Sequence, residues 1–303
     1  MPITTGAHPK ALWPGVKTWF GISYEEHPEE YRDMFDVFTS DKNFEEDVQS
    51  YGFGLAVQKN EGGGVTYTTT SQGPIKRYIH VVYGLGYIVT REEIEDNKYA
   101  ELSRKRASAL AFSMRTTKEI IHANVWNRCA TSGYTGADGV VLLSASHVTR
   151  ASNQSNILDP AADLSEAALE DLSIMVMTAK DDLDLQVPLM AKSLHVAPAE
   201  WFEANRILKS VLQSHTSNNA VNVLKSTNAI PGGIKVNHFF TDTDAFFLKT
   251  NIPADEGFKS YQRRAREFTK DNDFDTENAK AKATERYTCS WTNWRVCYGS
   301  VGA

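Results

Sequence analysis

The apolar and polar positions of residues 59–80, KNEGGGVTYTTTSQGPIKRYIH, predict a hairpin with little apolar face to bury. Val65, Tyr67 and Thr69 alternate with three further threonines, a pattern typical of a pleated strand. Three glycines near the start of this stretch and Ser-Gln-Gly-Pro in its middle supply turn signals. A flexible surface loop is the alternative, but the apolar run that follows favours the hairpin. Such a hairpin needs a partner to pack against.

A long helix is predicted after this hairpin, because the chain contains neither glycine nor proline from Tyr87 to Ser132. Thr-Arg-Glu-Glu, from Thr90 to Glu93, has the form of a capping box, and Gly133 is a natural stop. A helix of about 40 residues is about 60 Å long, against a diameter of about 50 Å for a compact chain of this size. We therefore expect an elongated or flat fold. The predicted apolar stripe of this helix consists of Leu102, Ala109, Leu110, Ile120 and Ile121.

The middle of the chain predicts an α/β unit. Residues 163–182 have a capped helix pattern with Ser165 as the N-cap, and PLMAKSLHVAP then has the pattern of a buried strand. Another helix follows Pro198, and GIKVNHFF and DAFFLKTN add strands. A mixed sheet flanked by helices is expected, which makes the fold class α+β.

The two ends of the chain differ in pattern. Residues 1–50 mix four prolines with many aromatic side chains, so they cannot form one regular element and are too aromatic for a solvated tail. Whether they lie against their own core or a neighbouring molecule is open from sequence. Near the C-terminus, strand alternation places Tyr287, Cys289 and Trp291 on one face and Glu285 toward the other side.

Charge and composition limit the function. The 303 residues carry a net charge of -6, which argues against a protein that coats nucleic acid, so any contact with DNA is expected to be weak. No apolar run reaches the roughly 20 residues that cross a bilayer, so no membrane is expected as a partner. The three cysteines are too few and too irregularly spaced for a disulfide framework, and we expect buried, reduced thiols.

No stretch nominates catalytic chemistry. The chain lacks the HExxH, GxSxG and GxGxxG patterns, and the glycines at residues 62–64 are not followed by the Lys-Ser or Lys-Thr of a phosphate loop. We therefore predict no catalytic residue, no cofactor, no metal site and no enzyme activity. Three basic clusters, around Lys76, Arg104 and Arg263, have acidic neighbours within a turn or two. Salt bridges between subunits or solvated faces explain them better than DNA binding.

Two stretches, KRYIHVVYGLGYIVTREEIEDNKY and YQRRAREFTKDNDFDTENAKAKATERY, together with the order of elements, resemble the major capsid protein of tailed bacteriophages. The resemblance covers nearly the whole chain. It is to the Hong Kong 97 type of shell subunit, and within that type the chain is similar to the Mu-like major head subunits. Neither stretch is a catalytic signature, so the resemblance rests on element order, length and texture.

The resemblance implies a phage capsid fold. Its segments would be an N-terminal arm at residues 1–50, an extended E-loop hairpin at 51–90, a P-domain with a long spine helix at 91–182 and 253–292, an α/β A-domain at 183–252, and a return to the A-domain at 293–303. In this family the E-loop lies across a neighbouring subunit. The founding member cross-links an E-loop Lys to a neighbour's Asn, but no Lys here can be matched to a specific Asn and Glu, so that reaction is not predicted.

The implied function is that of a structural subunit which self-assembles, through pentamers and hexamers, into the icosahedral shell around the phage DNA. Expected partners are a separate scaffold, because about 50 residues are too short for a fused one, a portal and, where the lattice is decorated, decoration proteins. Assembly would take place in the cytoplasm of the bacterial host and the protein would reside in the virion capsid. An encapsulin-like cellular shell is one alternative, and a cytosolic α/β enzyme centred on residues 163–250 is another. The residues predicted to contact neighbouring subunits are Trp13, Trp19, Phe20, Tyr67, Lys76, Arg77, Tyr78, Arg263 and Arg264.

Overall fold

The computed structural model describes residues 13–95, 99–213, 220–273 and 277–303, with side chains from residue 17 onward except at 94–103. The helices are α1 (Trp13–Glu26), α2 (Tyr31–Met34), α3 (Arg91–Glu95), α4 (Tyr99–Asn127), α5 (Glu166–Met177), α6 (Trp201–Lys209) and α7 (Val223–Ser226). The strands are β1 (Asp36–Thr39), β2 (Phe44–Tyr51), β3 (Ser71–Ile79), β4 (Val81–Val89), β5 (His147–Val148), β6 (Asn153–Gln154), β7 (Ala191–Val196), β8 (Ile234–Val236), β9 (Phe246–Thr250), β10 (Phe258–Asn272), β11 (Ala279–Trp291) and β12 (Cys297–Ser300).

A long sheet in the order β1-β10-β11-β4 packs against the long helix α4. β10 and β11 form its antiparallel centre, with β1 parallel to β10 and β4 antiparallel to β11. On β11, alanines alternate with lysines, and the buried Ala279, Ala281 and Ala283 lie in one core cluster with Ala107 and Ala111 of α4. Small side chains on both elements allow the helix and the sheet to approach closely.

The α/β unit forms as predicted. Its sheet has the order β12-β9-β7-β8, and α5 and α6 contribute to the same core. Ser165 caps α5, its hydroxyl accepting from the Ala168 N–H at 3.2 Å, and Leu169, Leu172 and Val176 face the core. The α+β fold class and the strands expected in residues 183–252 are confirmed.

The hairpin differs from the sequence prediction in where its strands lie. β2 pairs with β3 from Phe44↔Ile79 to Tyr51↔Ser71, whereas the intervening residues 52–70 form no strand and are exposed throughout. The strand predicted for residues 65–70 is therefore wrong. Alternation alone does not make a strand, because its backbone groups need a partner strand, and the chain offers none at this point.

The predicted cap lies on the short helix α3 (Arg91–Glu95), whereas the long helix α4 starts at Tyr99, after residues 96–98, which lie outside the described residues. The buried face of α4 also differs from the predicted one. The Glu93 N–H donates to Thr90 Oγ1 at 3.4 Å, and α4 ends at Asn127, before the turn that contains Gly133. Leu110 is buried as predicted, but Ala109 and Ile120 are exposed. The buried face is instead partly charged, with Arg115, Lys118, Glu119 and His122. The side chain of Leu102 lies outside the described residues.

The described part of the N-terminal segment packs on its own chain. α1 lies against α4, where Phe20 and Tyr24 are buried, and Tyr31 and Phe35 join the cluster around Trp126. This answers, for residues 17–50, the question that the sequence left open. Residues 1–12 lie outside the described residues.

Of two predictions for the C-terminal strand, one is confirmed and one is wrong. Tyr287 and Trp291 are buried on one face of β11 and Cys289 is partly buried there, as predicted. Glu285 was expected on the other side but lies on this same face with 1% exposure, because Lys118 of α4 neutralises it there. All three cysteines are free thiols; Cys129 and Cys297 are buried. Among the described residues no helix has the length and apolarity needed to span a bilayer.

Candidate intersubunit surface

The loop of residues 52–70, between β2 and β3, exposes apolar side chains that have no cover in the described chain. The exposed fractions are 58% for Phe53, 82% for Leu55, 71% for Val57, 61% for Val65 and 93% for Tyr67. Phe53, Leu55 and Val57 alternate with small residues, the pattern of a strand edge. Contiguous exposed apolar side chains of this kind mark interaction surfaces in soluble proteins. Sequence reasoning selected only Tyr67 of this set and missed Phe53, Leu55 and Val57, although their alternation was visible.

A tight turn forms the tip of this loop. The Gly63 N–H donates to the Asn60 carbonyl at 3.0 Å, and Gly62 adopts a φ of 75°. Only glycine adopts this left-handed geometry without cost, which explains one of the three consecutive glycines. The turn presents Glu61 to solvent.

The root of the hairpin is fixed to the long sheet by a compact polar cluster. The Asp47 carboxylate accepts from Lys259 Nζ at 2.5 Å and from Thr292 Oγ1 at 2.7 Å. Tyr78 and Thr292 share a hydroxyl hydrogen bond of 2.6 Å, and the Tyr78 ring meets that of Tyr261 edge to face. An exposed loop thus extends from a base that is fixed by hydrogen bonds and ring packing.

Two of the predicted contact residues are wrong in their assigned role. Phe20 is 2% exposed and Tyr78 is 1% exposed, so both pack inside their own chain and offer no surface to a neighbour. Trp19 is half-buried against the same core cluster as Phe20. Trp13 begins α1, and its side chain lies outside the described residues.

The basic residues predicted to make contacts lie at the surface in two groups. Arg77 of β3 pairs with Glu46 at 2.6 Å and covers the Phe44 ring at 4.5 Å, whereas Lys76 points into a pocket beside β11. On β10, the exposed Arg264 donates to Thr284 Oγ1 at 3.0 Å, and Arg263 is half-buried. The structure therefore does not bring Lys76 and Arg264 together into one site.

The outer strand β4 is a further surface that sequence reasoning missed. Its exposed apolar side chains are Val81, Val82, Leu85 and Ile88, with exposed fractions of 48%, 53%, 50% and 57%. No strand among the described residues pairs with its outer edge. The described chain leaves one side of this apolar run open. An edge strand with these properties is a natural surface for another chain.

A buried polar network holds the N-terminal segment on α4. Glu119 Oε2 accepts from the Tyr31 N–H at 2.9 Å, and Arg115 donates to the Tyr24 carbonyl at 3.1 Å and to Glu29 at 2.6 Å. Burial raises the pKa of Glu119 to about 7, opposed by the hydrogen bond from Tyr31. Burial also lowers the pKa of His122, to about 3, so this imidazole is neutral.

Glu119 predicts a pH dependence of stability. Its carboxyl has a pKa near 4.5 when unfolded and about 7 when folded. The folded state therefore binds the proton more tightly, and the contribution of Glu119 to stability falls by at most about 3 kcal/mol as pH rises from 4.5 through 7, whereas the buried His122, with its lowered pKa, contributes in the opposite direction. Glu119→Gln keeps an acceptor for Tyr31 without the charge, and we expect its stability relative to wild type to rise by that amount over this pH range. Urea unfolding of unassembled subunits between pH 4.5 and 8 measures it.

The matched control is Glu61→Gln in the exposed loop, which should retain the wild-type slope. A Glu119→Gln profile as steep as the wild type would show that another group titrates.

The described residues contain no group of three or more His, Cys, Asp and Glu side chains placed to hold a metal ion.

Comparison with known proteins shows to which family the chain belongs. The family described as phage capsid protein matches residues 76–299. The chain belongs to the phage capsid protein family. This capsid protein is accordingly a structural subunit rather than an enzyme, its place is the virion capsid, and it assembles with further subunits into a capsid. The enzyme alternative is excluded by this membership, and the cellular-shell alternative gains no better support.

Solved structures show the same fold at low sequence identity. A virus-like particle from Pyrococcus furiosus is 13% identical with a TM-score of 0.52, over 95% of this chain and 98% of the other. The capsid of a native GTA particle is 10% identical with a TM-score of 0.56, over 91% and 92%. Mycobacterium phage Patience is 10% identical with a TM-score of 0.53, over 98% and 88%. No curated protein matches the chain. The phage capsid fold is confirmed by these similarities.

Proposed function

We propose that this capsid protein is a major head subunit of the Hong Kong 97 type, similar to the Mu-like subunits, and that the loop of residues 52–70 is its intersubunit arm. The observation that carries the proposal is the exposed apolar series Phe53, Leu55 and Val57 beyond a rigid hairpin root. Burying these side chains on a neighbour removes apolar surface from water at about 25 cal/mol per Å². This loop, together with the strands β2 and β3 that carry it, corresponds to the E-loop of the resemblance. β2 begins at Phe44, inside the segment that was predicted to be the N-terminal arm.

The proposed lattice consists of pentamers and hexamers closed into an icosahedral head. A closed shell needs several heterologous contacts for each subunit, and many moderate contacts add up to a stable lattice. The α/β unit, proposed as the A-domain at residues 183–252, would meet its copies at the rotation axes. The remaining segments keep their predicted limits as proposals: the P-domain at 91–182 and 253–292, and the C-terminal return at 293–303.

The proposed partners are a separate scaffold, a portal and, on decorated heads, decoration proteins, with assembly in the cytoplasm of the bacterial host. The net charge of -6 supports a container whose wall does not hold DNA tightly, because affinity for phosphate backbones requires clustered cations. Strong binding of DNA by unassembled subunits at physiological salt would contradict this part.

Removal of the arm tests the proposed function. Replacing residues 53–70 by a short Asn-Gly turn leaves the ends of β2 and β3 joined, so the subunit should fold and remain soluble. We expect no closed particles, because the loop's apolar contacts are lost from every subunit. Negative-stain microscopy and sedimentation measure particle formation, and thermal unfolding of unassembled subunits checks the fold.

A matched pair of triple variants sharpens this test. Phe53, Leu55 and Val57 changed together to Ser should block assembly, whereas Lys59, Asn60 and Thr66 changed to Ser should allow it. Normal particles from the first variant would contradict the role of the apolar series.

A further inference from the structure

An open pocket of about 350 Å³ lies where the hairpin root, the end of α4 and β11 meet. Two cationic side chains, Lys76 and Arg128, line it together with the rings of Tyr83, Tyr134 and Trp291. The ring walls reduce access of water, which strengthens any charge interaction inside. The composition of the pocket is that of a receptor for one anionic side chain.

The positive charges of this pocket are not neutralised within the described chain. Lys76 Nζ donates to the Thr135 carbonyl at 2.7 Å and lies 5.0 Å from the Trp291 ring centroid, and the Arg128 guanidinium covers the Tyr134 ring at 4.5 Å. Among the described residues, neither cation forms an ion pair with a carboxylate within 4.0 Å. Burial lowers the pKa of Lys76, and the charge of Asp138 opposes this shift.

Asp138 is the acidic residue whose charge acts on Lys76, but its carboxylate already has other hydrogen-bond partners. Asp138 acts on Lys76 only through its longer-range field. Its carboxylate accepts from His147 Nδ1 at 2.7 Å and from the Val140 N–H at 3.2 Å. A carboxylate that pairs with Lys76 and Arg128 therefore has to come from another source.

Glu61 is an acidic side chain without a basic partner in the described part of its own chain. It is the sole acidic residue of residues 52–70, and the turn closed between Asn60 and Gly63 holds it at the loop tip. It forms no ion pair within the described part of its own chain, whereas Glu46, Asp184 and other surface acids have basic partners. Glu61 lies ten residue steps before Ser71, which in an extended chain is a reach of about 33 Å.

We propose that the pocket between Lys76 and Arg128 receives Glu61 from a second copy of the chain. This inference rests on the proposed function, in which the loop reaches a neighbouring subunit, and it names the point where the tip docks. One carboxylate oxygen faces the ammonium and the other the guanidinium, while the ring walls exclude water. A partly buried contact of this kind fixes the register of the apolar series on the neighbour and is less screened by salt than an exposed pair.

Charge reversal with rescue tests the docking. Glu61→Lys and Arg128→Glu should each raise the subunit concentration needed for half-maximal particle formation by about tenfold, the effect of one lost interfacial charge contact. The double variant E61K/R128E should recover to within about threefold of wild type, since the reversed pair attracts again. Light scattering against subunit concentration measures the threshold. Thr66→Lys, which adds the same charge elsewhere in the loop, is the matched control and should leave the threshold unchanged.

Thermal unfolding of unassembled variants confirms that folding is intact. If R128E unfolds early, Arg128→Gln replaces it as the second variant, with an expected rise of about threefold. Wild-type thresholds for E61K, or a double variant no better than the worse single one, would overturn the docking while the loop deletion still tests the arm on its own. Normal particles from the deletion would overturn both.

Discussion

Lys118→Met is expected to lower the free energy of unfolding by about 3–5 kcal/mol, because it leaves the Glu285 carboxylate buried without its counter-charge. Lys118 Nζ lies 3.4 Å from Glu285 Oε2 and donates to Gln262 Oε1 at 2.8 Å, and the two charged side chains are 7% and 1% exposed. Burial lowers the pKa of Lys118, and Glu285 opposes this shift. Methionine fills a similar volume, so the loss reports on charge rather than on a cavity.

Two companion variants separate the charge effect from packing. Lys118→Met combined with Glu285→Gln removes both charges and should recover most of the lost stability. Lys282→Met, on the exposed face of β11, should stay within about 0.5 kcal/mol of wild type. Urea unfolding of unassembled subunits measures all three, and a double variant as unstable as K118M would contradict the explanation.

Asn156→Asp is expected to cost about 3–5 kcal/mol, although it changes a single side-chain atom. Asn156 is fully buried, and its Nδ2 donates to the carbonyls of Leu142 at 2.7 Å and Cys297 at 2.9 Å. Its Oδ1 accepts from the Ser144 N–H at 2.8 Å and lies 3.1 Å from His147 Nε2. Aspartate retains the acceptor but turns a negative charge toward the two carbonyls. The segment after α4 would lose its attachment to the C-terminal strand.

The deficit of Asn156→Asp should shrink at low pH, where the new carboxyl is protonated and can donate to one carbonyl again. Asn153→Asp, on the exposed strand β6, is the matched control and should show neither the loss nor its pH dependence. Urea unfolding at pH 5 and pH 8 distinguishes the two variants. Equal stability of N156D at both pH values would contradict the role assigned to the Nδ2 hydrogen bonds.

Local signals in the sequence were sufficient wherever an element depends on its own residues. Ser165 caps α5, Thr90 caps the short helix α3, and the apolar run before Pro198 forms β7. These features follow from capping, period and strand propensity, which act within a few residues.

The predictions that were wrong depended on distant partners. The buried face of α4 could not be found from apolar spacing, because Lys118 is accommodated by Glu285 and Gln262, and Glu119 by the Tyr31 N–H. Each partner lies far away along the chain. Phe20 and Tyr78 were interpreted as surface contacts because a sequence does not show which aromatic side chains fold back onto their own chain.

The sequence predicted a hairpin that needs a partner, but it did not identify most of the residues that form the candidate surface. The sequence predicted a hairpin that extends to a neighbour, and the structure shows a β2–β3 hairpin whose connecting loop, residues 52–70, is exposed. The alternation of Val65, Tyr67 and Thr69 was taken as evidence of a strand, while the equally regular Phe53, Leu55 and Val57 were overlooked.

The clamp of Asp47 on Lys259 and Thr292 has a mechanical consequence for a shell. Because the root of the arm is anchored on β10 and at the end of β11, the arm is a beam fixed at one end rather than a tether. A pull along the strands loads the rungs between β2 and β3 together, in shear, instead of opening them one by one. In the proposed lattice, outward strain from the contents of the head would therefore pass through each arm into the long sheet of its own subunit and spread over the shell.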